Sequence, residues 1–182
     1  MLRLVQERRG RWRRSTVQTP VGPLTVIHAA PRVVVAAAFV AGESAPSHWF
    51  GRPTDDAEPP SWLAVLVDEA SQGTLTRPWT LMDPGLTPLT ARALTAAVAV
   101  PFATVTSYGE LAQRIGLPRG ARLVGLAMSR SPAALLVPTH RVVRADGRAA
   151  PVERGGIADA LRAYEKAIGT GENGRDGQGG PA

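Results

Sequence analysis

The stretch that most constrains this chain runs from Ser107 to Val143, SYGELAQRIGLPRGARLVGLAMSRSPAALLVPTHRVV. Ser107 and Glu110 have capping-box spacing, so the hydroxyl and the carboxylate each satisfy a backbone N–H that a helix start leaves orphaned. Leu111, Ala112 and Ile115 then fall on one helical face, and Gly116 stands where a left-handed C′ residue ends a helix. Pro118 sits near the start of a second helix in which Ala121, Val124, Ala127 and Met128 recur at helical spacing, leaving Arg122 and Ser129 on other faces. Two short helices across a turn of three or four residues, with arginines around the second, describe a helix-turn-helix.

Charge points the same way. The 182 residues carry a formal charge of +6, which implies an anionic partner, most simply nucleic acid. Six arginines lie in residues 1–14 against Glu7, and eight lie between Arg114 and Arg154 against Asp146 and Glu153. Between residues 40 and 100 seven acids face only Arg52, Arg77 and Arg92. An arginine-rich composition alone does not segregate charge in this way. No apolar run reaches the roughly 18–20 residues of a bilayer span. The opening MLRLVQERRGRWRR lacks the apolar core of a signal peptide, so a cytoplasmic location without membrane contact is expected. The chain has no cysteine, which excludes disulfides and thiolate metal sites. His28 and His48 form no metal spacing, and neither a metal nor another cofactor is expected.

In chain order, residues 1–18 read as a basic arm that either tracks phosphates or is a solvated terminus whose Trp12 covers the edge of the first domain. Residues 19–80 read as a small α/β domain. A strand opens at Thr19-Pro20-Val21-Gly22 and a second runs from Arg32 to Val40, joined across Ala30-Pro31. A polar, Pro-rich loop over 43–60 with a turn at Pro53 to Asp56 follows, then a helix capped by Ser61 and ending near Ser71. Near Arg77–Asp83 the chain is expected to cross to a mainly helical domain, 81–168. Thr87-Pro88 is an N-cap followed by proline at N1. Leu89, Ala93, Ala96, Ala97 and Val100 form an apolar face that Pro101 ends. Arg144-Ala145-Asp146-Gly147 is a turn signature, a last helix spans roughly 156–168, and the Gly-rich 169–182 is expected to be disordered.

The segments SYGELA, ARLVGLAM and PTHRVV resemble the O6-alkylguanine-DNA alkyltransferase family, whose members remove alkyl groups from guanine in one suicidal step. The resemblance covers residues 19 to about 167, and TPVGPL with its hairpin is similar to the start of the family's first domain. It implies an α/β N-terminal domain of ribonuclease-H-like shape followed by a mainly α C-terminal domain with the helix-turn-helix. In that family the residue between the proline and the histidine is the cysteine that accepts the alkyl group; here it is Thr139. The resemblance therefore points to the alkyltransferase-like branch, relatives without this cysteine that bind alkylated DNA without repairing it directly. The expectation that follows is a protein that is no enzyme.

Roles carried over by resemblance are these. Tyr108 crowds the phosphate beside the target nucleotide and helps rotate it out, while Arg122 enters through the minor groove and fills the vacated place. Extruding a base costs a few kcal/mol, and a planar guanidinium both stacks and hydrogen-bonds. Ser107, Gly125 and Ser129 lie along the DNA, with Gly125 and Ala127 permitting close approach. Pro138, Thr139, His140 and Met128 line the lesion pocket. His140 reaches toward Glu165 of the last helix, and Arg141 and Ser131 are scaffold. Relatives carry an asparagine where this chain has Ser131, an aromatic residue where it has Leu94, and a glycine- and tyrosine-containing loop where it has residues 148–153.

Alkyl transfer needs a soft, readily ionised nucleophile, which a thiolate is and a β-branched hydroxyl is not. Thr139 is then either a neutral replacement or a hydrogen-bonding floor for a flipped base. The leading reading is a non-catalytic binder of double-stranded DNA that recognises O6-alkylguanine by base flipping and flags it for repair proteins, acting as a monomer. The alternative is a general duplex-DNA binder, architectural or regulatory. A third reading, alkyl acceptance by Thr139 or hydrolysis in the pocket, keeps it an enzyme.

Overall fold

The computed structural model describes residues 1–5, 12–29, 31–39, 55–56, 58–83, 85–146 and 156–173, the side chains of 55–56 and 171–173 excepted. Its first half is built on a six-stranded mixed sheet. The strands are β1 (Leu2–Val5), β2 (Arg13–Thr19), β3 (Gly22–His28), β4 (Val33–Ala38), β5 (Asp55–Asp56) and β6 (Trp79–Met82). Their order is β1-β6-β4-β3-β2-β5, with β2-β3-β4 an antiparallel meander. β1 and β4 run parallel to β6 on either side of it.

The expected hairpin is therefore present, as β3 and β4. The expected arm is corrected: residues 2–5 and 13–19 are strands, because their backbones pair with β6 and β3, and Leu2 and Leu4, like Ser15 and Val17, turn inward at every second position. Trp12 is 4% exposed and packs with Ile27, Val35, Ala36 and Met82 on one face of the sheet. The crossing expected at 77–83 is also corrected, since β6 lies inside the sheet with Trp79 and Leu81 buried. The turn expected at 53–56 falls partly outside the described residues, and Asp55–Asp56 pair with β2. His48 and the 148–153 loop lie outside them altogether.

The opposite face of the sheet carries Leu24, Val26, Val34, Ala37 and Leu81, and it packs on α1 (Ser61–Ser71) and α2 (Pro88–Val98) in one continuous core. Ser61 is the first helical residue rather than the cap; Pro60 holds the cap position, without a side-chain hydrogen bond. α2 begins as expected, with the Thr87 hydroxyl accepting from the Thr90 N–H at 3.1 Å.

β7 (Thr106–Ser107), α3 (Tyr108–Arg114), α4 (Ala121–Ser129), a single 3-10 turn at Thr139–Arg141, β8 (Val142–Val143) and α5 (Ile157–Asn173) complete the fold. α5 passes the expected end at 168, so residues 169–173 are helix and not disordered. Gly169 permits this: a Cβ there would stand 2.8 Å from the Ala103 Cβ, so only glycine lets the helix lie this close. Among the described residues no helix is long and apolar enough to cross a membrane.

Candidate functional site

Three local devices bring the predicted residues together. The first is the start of α3. Ser107 Oγ accepts from the Glu110 N–H at 3.1 Å, and Glu110 Oε2 accepts from the Ser107 N–H at 2.7 Å and from the Thr106 hydroxyl at 3.0 Å. The backbone hydrogen bond from Ser107, followed by that of Thr106, holds the Glu110 carboxyl below its usual range. Each of these donors stabilises the charged form, which also suits the positive end of a helix.

The second device is the connection between helices. Ile115 caps α3 and Gly116 follows at φ +71°, as its position predicts. The connection is six residues long rather than three or four, because Leu117 and Gly120 add a further turn, with N–H donations to Ala112 and Leu117 carbonyls. α4 then buries Val124, Ala127 and Met128 against the core, Met128 at 5% exposure. Ala121, expected inside, is exposed, and Ala127 faces the core, so it cannot help the helix approach a duplex. Arg122 and Ser129 point to solvent, and the Ser129 hydroxyl donates to the Leu126 carbonyl at 2.9 Å. The Tyr108 ring lies over Gly125, about van der Waals distance from where a Cβ would be (4.0 Å).

The third device is a two-residue parallel ladder, Thr106 with Val142 and Ser107 with Val143. It ties the start of α3 to the chain just beyond the Thr139–Arg141 turn. From the other side, the sheet holds the approach to that turn. β6 pairs with β4 only at Val33 and Val34, which leaves the far half of β4 with free pairing groups. Ala37 uses them to accept from the Ala134 N–H at 2.9 Å and donate to the Pro132 carbonyl at 2.7 Å. Leu135 follows at φ +67°, a strained conformation for a branched residue.

At the turn itself, Pro138 and His140 are buried and Thr139 is half-buried. Below it sits the Glu165 carboxylate, 3% exposed. It accepts from His140 Nε2 at 2.7 Å, from Arg141 Nε at 2.9 and 3.0 Å and Nη2 at 2.8 Å, and from the Ala103 N–H at 3.1 Å. Arg141 also donates to the Val100 carbonyl at 2.9 Å and stacks 5.3 Å from the Phe102 ring centroid. Burial opposes charge on Glu165, but the hydrogen bonds from His140 and Arg141 and the charge of the Arg141 guanidinium prevail and bring it down to about 2. Burial pushes the His140 imidazole down as well. A neutral imidazole beside a carboxylate carries its proton on the nitrogen facing that carboxylate, Nε2, so Nδ1 presents a lone pair. Nδ1 is buried and has no hydrogen-bond partner, and the same holds for Ser131 Oγ.

The expected contact of His140 with Glu165 is thus present, and Arg141 is part of the same network. Sequence reasoning missed Ala103, Phe102 and Arg162, whose guanidinium donates to the His140 carbonyl at 2.8 Å. The three-residue spacing of Arg162 and Glu165 was a usable signal, since it places both on one face of α5. Ala103, at φ +57°, left no signal in the sequence. Among the described residues no cluster of acidic and histidine side chains could hold a metal.

Residues 88–166 match the family model described as the 6-O-methylguanine DNA methyltransferase DNA-binding domain. The chain is 34% identical over 137 residues to the methylated-DNA–protein-cysteine methyltransferase of Mycobacterium tuberculosis, covering 73% of this chain and 79% of that protein. The crystal structure of M. tuberculosis O6-methylguanine methyltransferase superposes with a TM-score of 0.66 at 30% identity, over 86% of this chain and 94% of that one. The M. tuberculosis protein crystallised in complex with DNA gives 0.62 at 30% identity and the same coverage. These relatives are named as enzymes, which corrects the expectation that this chain is no enzyme: that expectation rested on Thr139 and on the absence of cysteine, whereas the match extends over most of the chain. Matched over most of its length in sequence and in fold, this chain belongs to the O6-methylguanine-DNA methyltransferase family.

Proposed function

We propose that this protein binds duplex DNA through α3 and α4, acting as a helix-turn-helix, and recognises O6-alkylguanine rotated out of the stack, flagging it for repair proteins. Duplex DNA is the partner that the family's DNA-binding domain implies, and the exposed Arg122 on α4 and Arg130 at its C-terminal cap suit it. The observation that carries the reading is the parallel ladder of Thr106–Ser107 with Val142–Val143. It joins a candidate DNA-contacting helix start to the candidate pocket, so a nucleotide displaced at Tyr108 has only a short path to Thr139. In this reading Tyr108 rotates the nucleotide, Arg122 fills its place, and Ser107, Gly125 and Ser129 line the approach.

The pocket would be formed at Pro138, Thr139 and His140, with the Thr139 hydroxyl as a hydrogen-bonding floor. Met128 supports it from the core side, and Glu165 and Arg141 hold the turn rigid. The sheet unit braces the pocket through Ala37, and Ser131 lies on the same braced segment. Binding to two matched duplexes, one with a single O6-methylguanine and one unmodified, tests this at fixed salt, because phosphate contacts alone give tight binding to both. A preference of about tenfold, or 1.4 kcal/mol, is expected. Equal affinities would sink lesion recognition and leave a general duplex binder.

A further inference from the structure

A groove between α2 and the end of α3 takes no part in the site described above. On α2, Arg92, Thr95, Ala96 and Ala99 are spaced i, i+3, i+4 and i+7, which sets them in one row along the helix. The end of α3 lies beside that row with Arg114 and Ile115, and together they bound an open trough of about 660 Å3. Its only charged lining residues are the two arginines. Arg92 donates through Nη2 to the Ile115 carbonyl, so its guanidinium is held at the rim, where it also meets the negative end of α3. Among the described residues neither arginine is in an ion pair. The one acid of α3, Glu110, instead accepts from the Thr106 hydroxyl and the Ser107 N–H. Helix termination accounts for where the arginines stand, but not for the trough between them.

We propose that this groove is where a repair protein docks, through an acidic segment whose apolar side chains lie on the floor and whose carboxylates meet Arg92 and Arg114. This rests on the flagging role proposed above and names its surface. A protein that marks a lesion has to be read while it holds DNA, so the partner's seat must lie off the duplex-facing surface. The groove meets that condition. Arg114 closes α3 about 9 Å along the helix from Tyr108, and no residue placed on DNA lines the trough. Charge selects the occupant: two guanidiniums without a carboxylate between them favour an anionic partner. Phosphates of a duplex would satisfy the rim but leave the floor of Ala96 and Ala99 uncovered, whereas a peptide segment covers both. An open trough also suits a peptide better than a small molecule, which needs most of its own surface enclosed.

The test uses the full chain with Thr95→Trp, which fills the trough without changing charge, Arg114→Glu, which reverses one rim charge, and Arg114→Lys, which keeps it. Arg92 is left intact because it caps the Ile115 carbonyl. The probe is a labelled synthetic helical peptide of glutamate, alanine and leucine, with an analogue in which glutamine replaces every glutamate. Fluorescence anisotropy should show saturable binding of the acidic peptide. Thr95→Trp, Arg114→Glu and the glutamine analogue should each weaken it by about tenfold or more, and Arg114→Lys should retain it. Affinity for an O6-methylguanine duplex should be unchanged in all three variants, and the peptide should bind the DNA-bound protein as well as the free one. Absence of saturable binding, or binding that Thr95→Trp leaves intact, overturns the proposal. Competition between peptide and duplex, with DNA affinity lost in Arg114→Glu, assigns the groove to DNA and overturns it too. So does loss of self-association in Thr95→Trp with no effect on the peptide, which would make a second copy the occupant. Equal affinity for modified and unmodified duplexes sinks lesion recognition without touching the peptide result, so the two failures are distinguishable.

Discussion

Replacing Glu165 by glutamine would expose how much of the site rests on one charge. The change keeps volume and shape but removes the negative charge and turns an NH2 group toward donors from His140, Arg141 and Ala103. Removing one partner of a buried ion pair costs about 3–5 kcal/mol, because the other charge stays buried unpaired. Linkage gives a similar figure. The Glu165 carboxyl lies near 2, against an ordinary 4.5, and at 1.36 kcal/mol per unit this is about 3 kcal/mol.

The sign follows from the direction. Because the folded value is the lower one, the contribution is complete above about pH 5 and disappears as pH falls through 4.5 toward 2. His140, also lowered, adds its own destabilisation below its ordinary 6.5, in wild type and variant alike. Urea unfolding from about pH 3 to 7 should show a wild-type advantage of about 3 kcal/mol at neutrality that shrinks toward acid. The neutral-pH melting point should fall by about 6–12 °C. A neutral-pH difference below about 1 kcal/mol, or one that does not change with pH, would refute this account of the turn.

Three further outcomes follow from the geometry. Thr139→Val, isosteric but without the hydroxyl, should reduce the preference for an O6-methylguanine duplex and leave affinity for unmodified DNA unchanged; equal loss on both duplexes would remove the floor role. Ser107→Ala should cost about 1 kcal/mol of stability by deleting the N-cap of α3, measurable by urea denaturation, with less effect when Glu110 is already glutamine. Gly169→Ala should cost about 1–3 kcal/mol, since its Cβ would press on Ala103. Thermal unfolding of that variant should also lose part of its acid sensitivity, because Ala103 helps hold Glu165.

What could be read from the sequence was what neighbouring residues decide. The caps at Thr87 and Ser107 pair a side chain with a backbone group three positions on, and the stop at Gly116 is a backbone turn to Gln113, so spacing alone specifies them. The hairpin of β3 and β4 is legible for the same reason. β1 and β6 were not: their pairing joins Leu2 to Trp79, and nothing local distinguishes a short strand with one arginine from a basic arm. The site divides in the same way. His140 and Arg141 stand out as neighbours in PTHRVV, but their shared carboxylate comes from another helix, and Ala103 offers only a backbone N–H.

The two hydrogen bonds of Ala37 have a consequence for how this protein can be cut or recombined. The segment that defines the DNA-binding region of the family, 88–166, borrows the N–H and the carbonyl of one β4 residue, Ala37, to complete the chain ahead of Thr139. Carried into a fusion without the sheet, that segment would keep its helices but leave the Pro132 carbonyl and the Ala134 N–H to water, and Leu135 would lose what holds its left-handed conformation. An insertion or deletion in β4 that shifts Ala37 by one position is therefore a change to the chain ahead of Thr139, although it lies about a hundred residues away in the sequence.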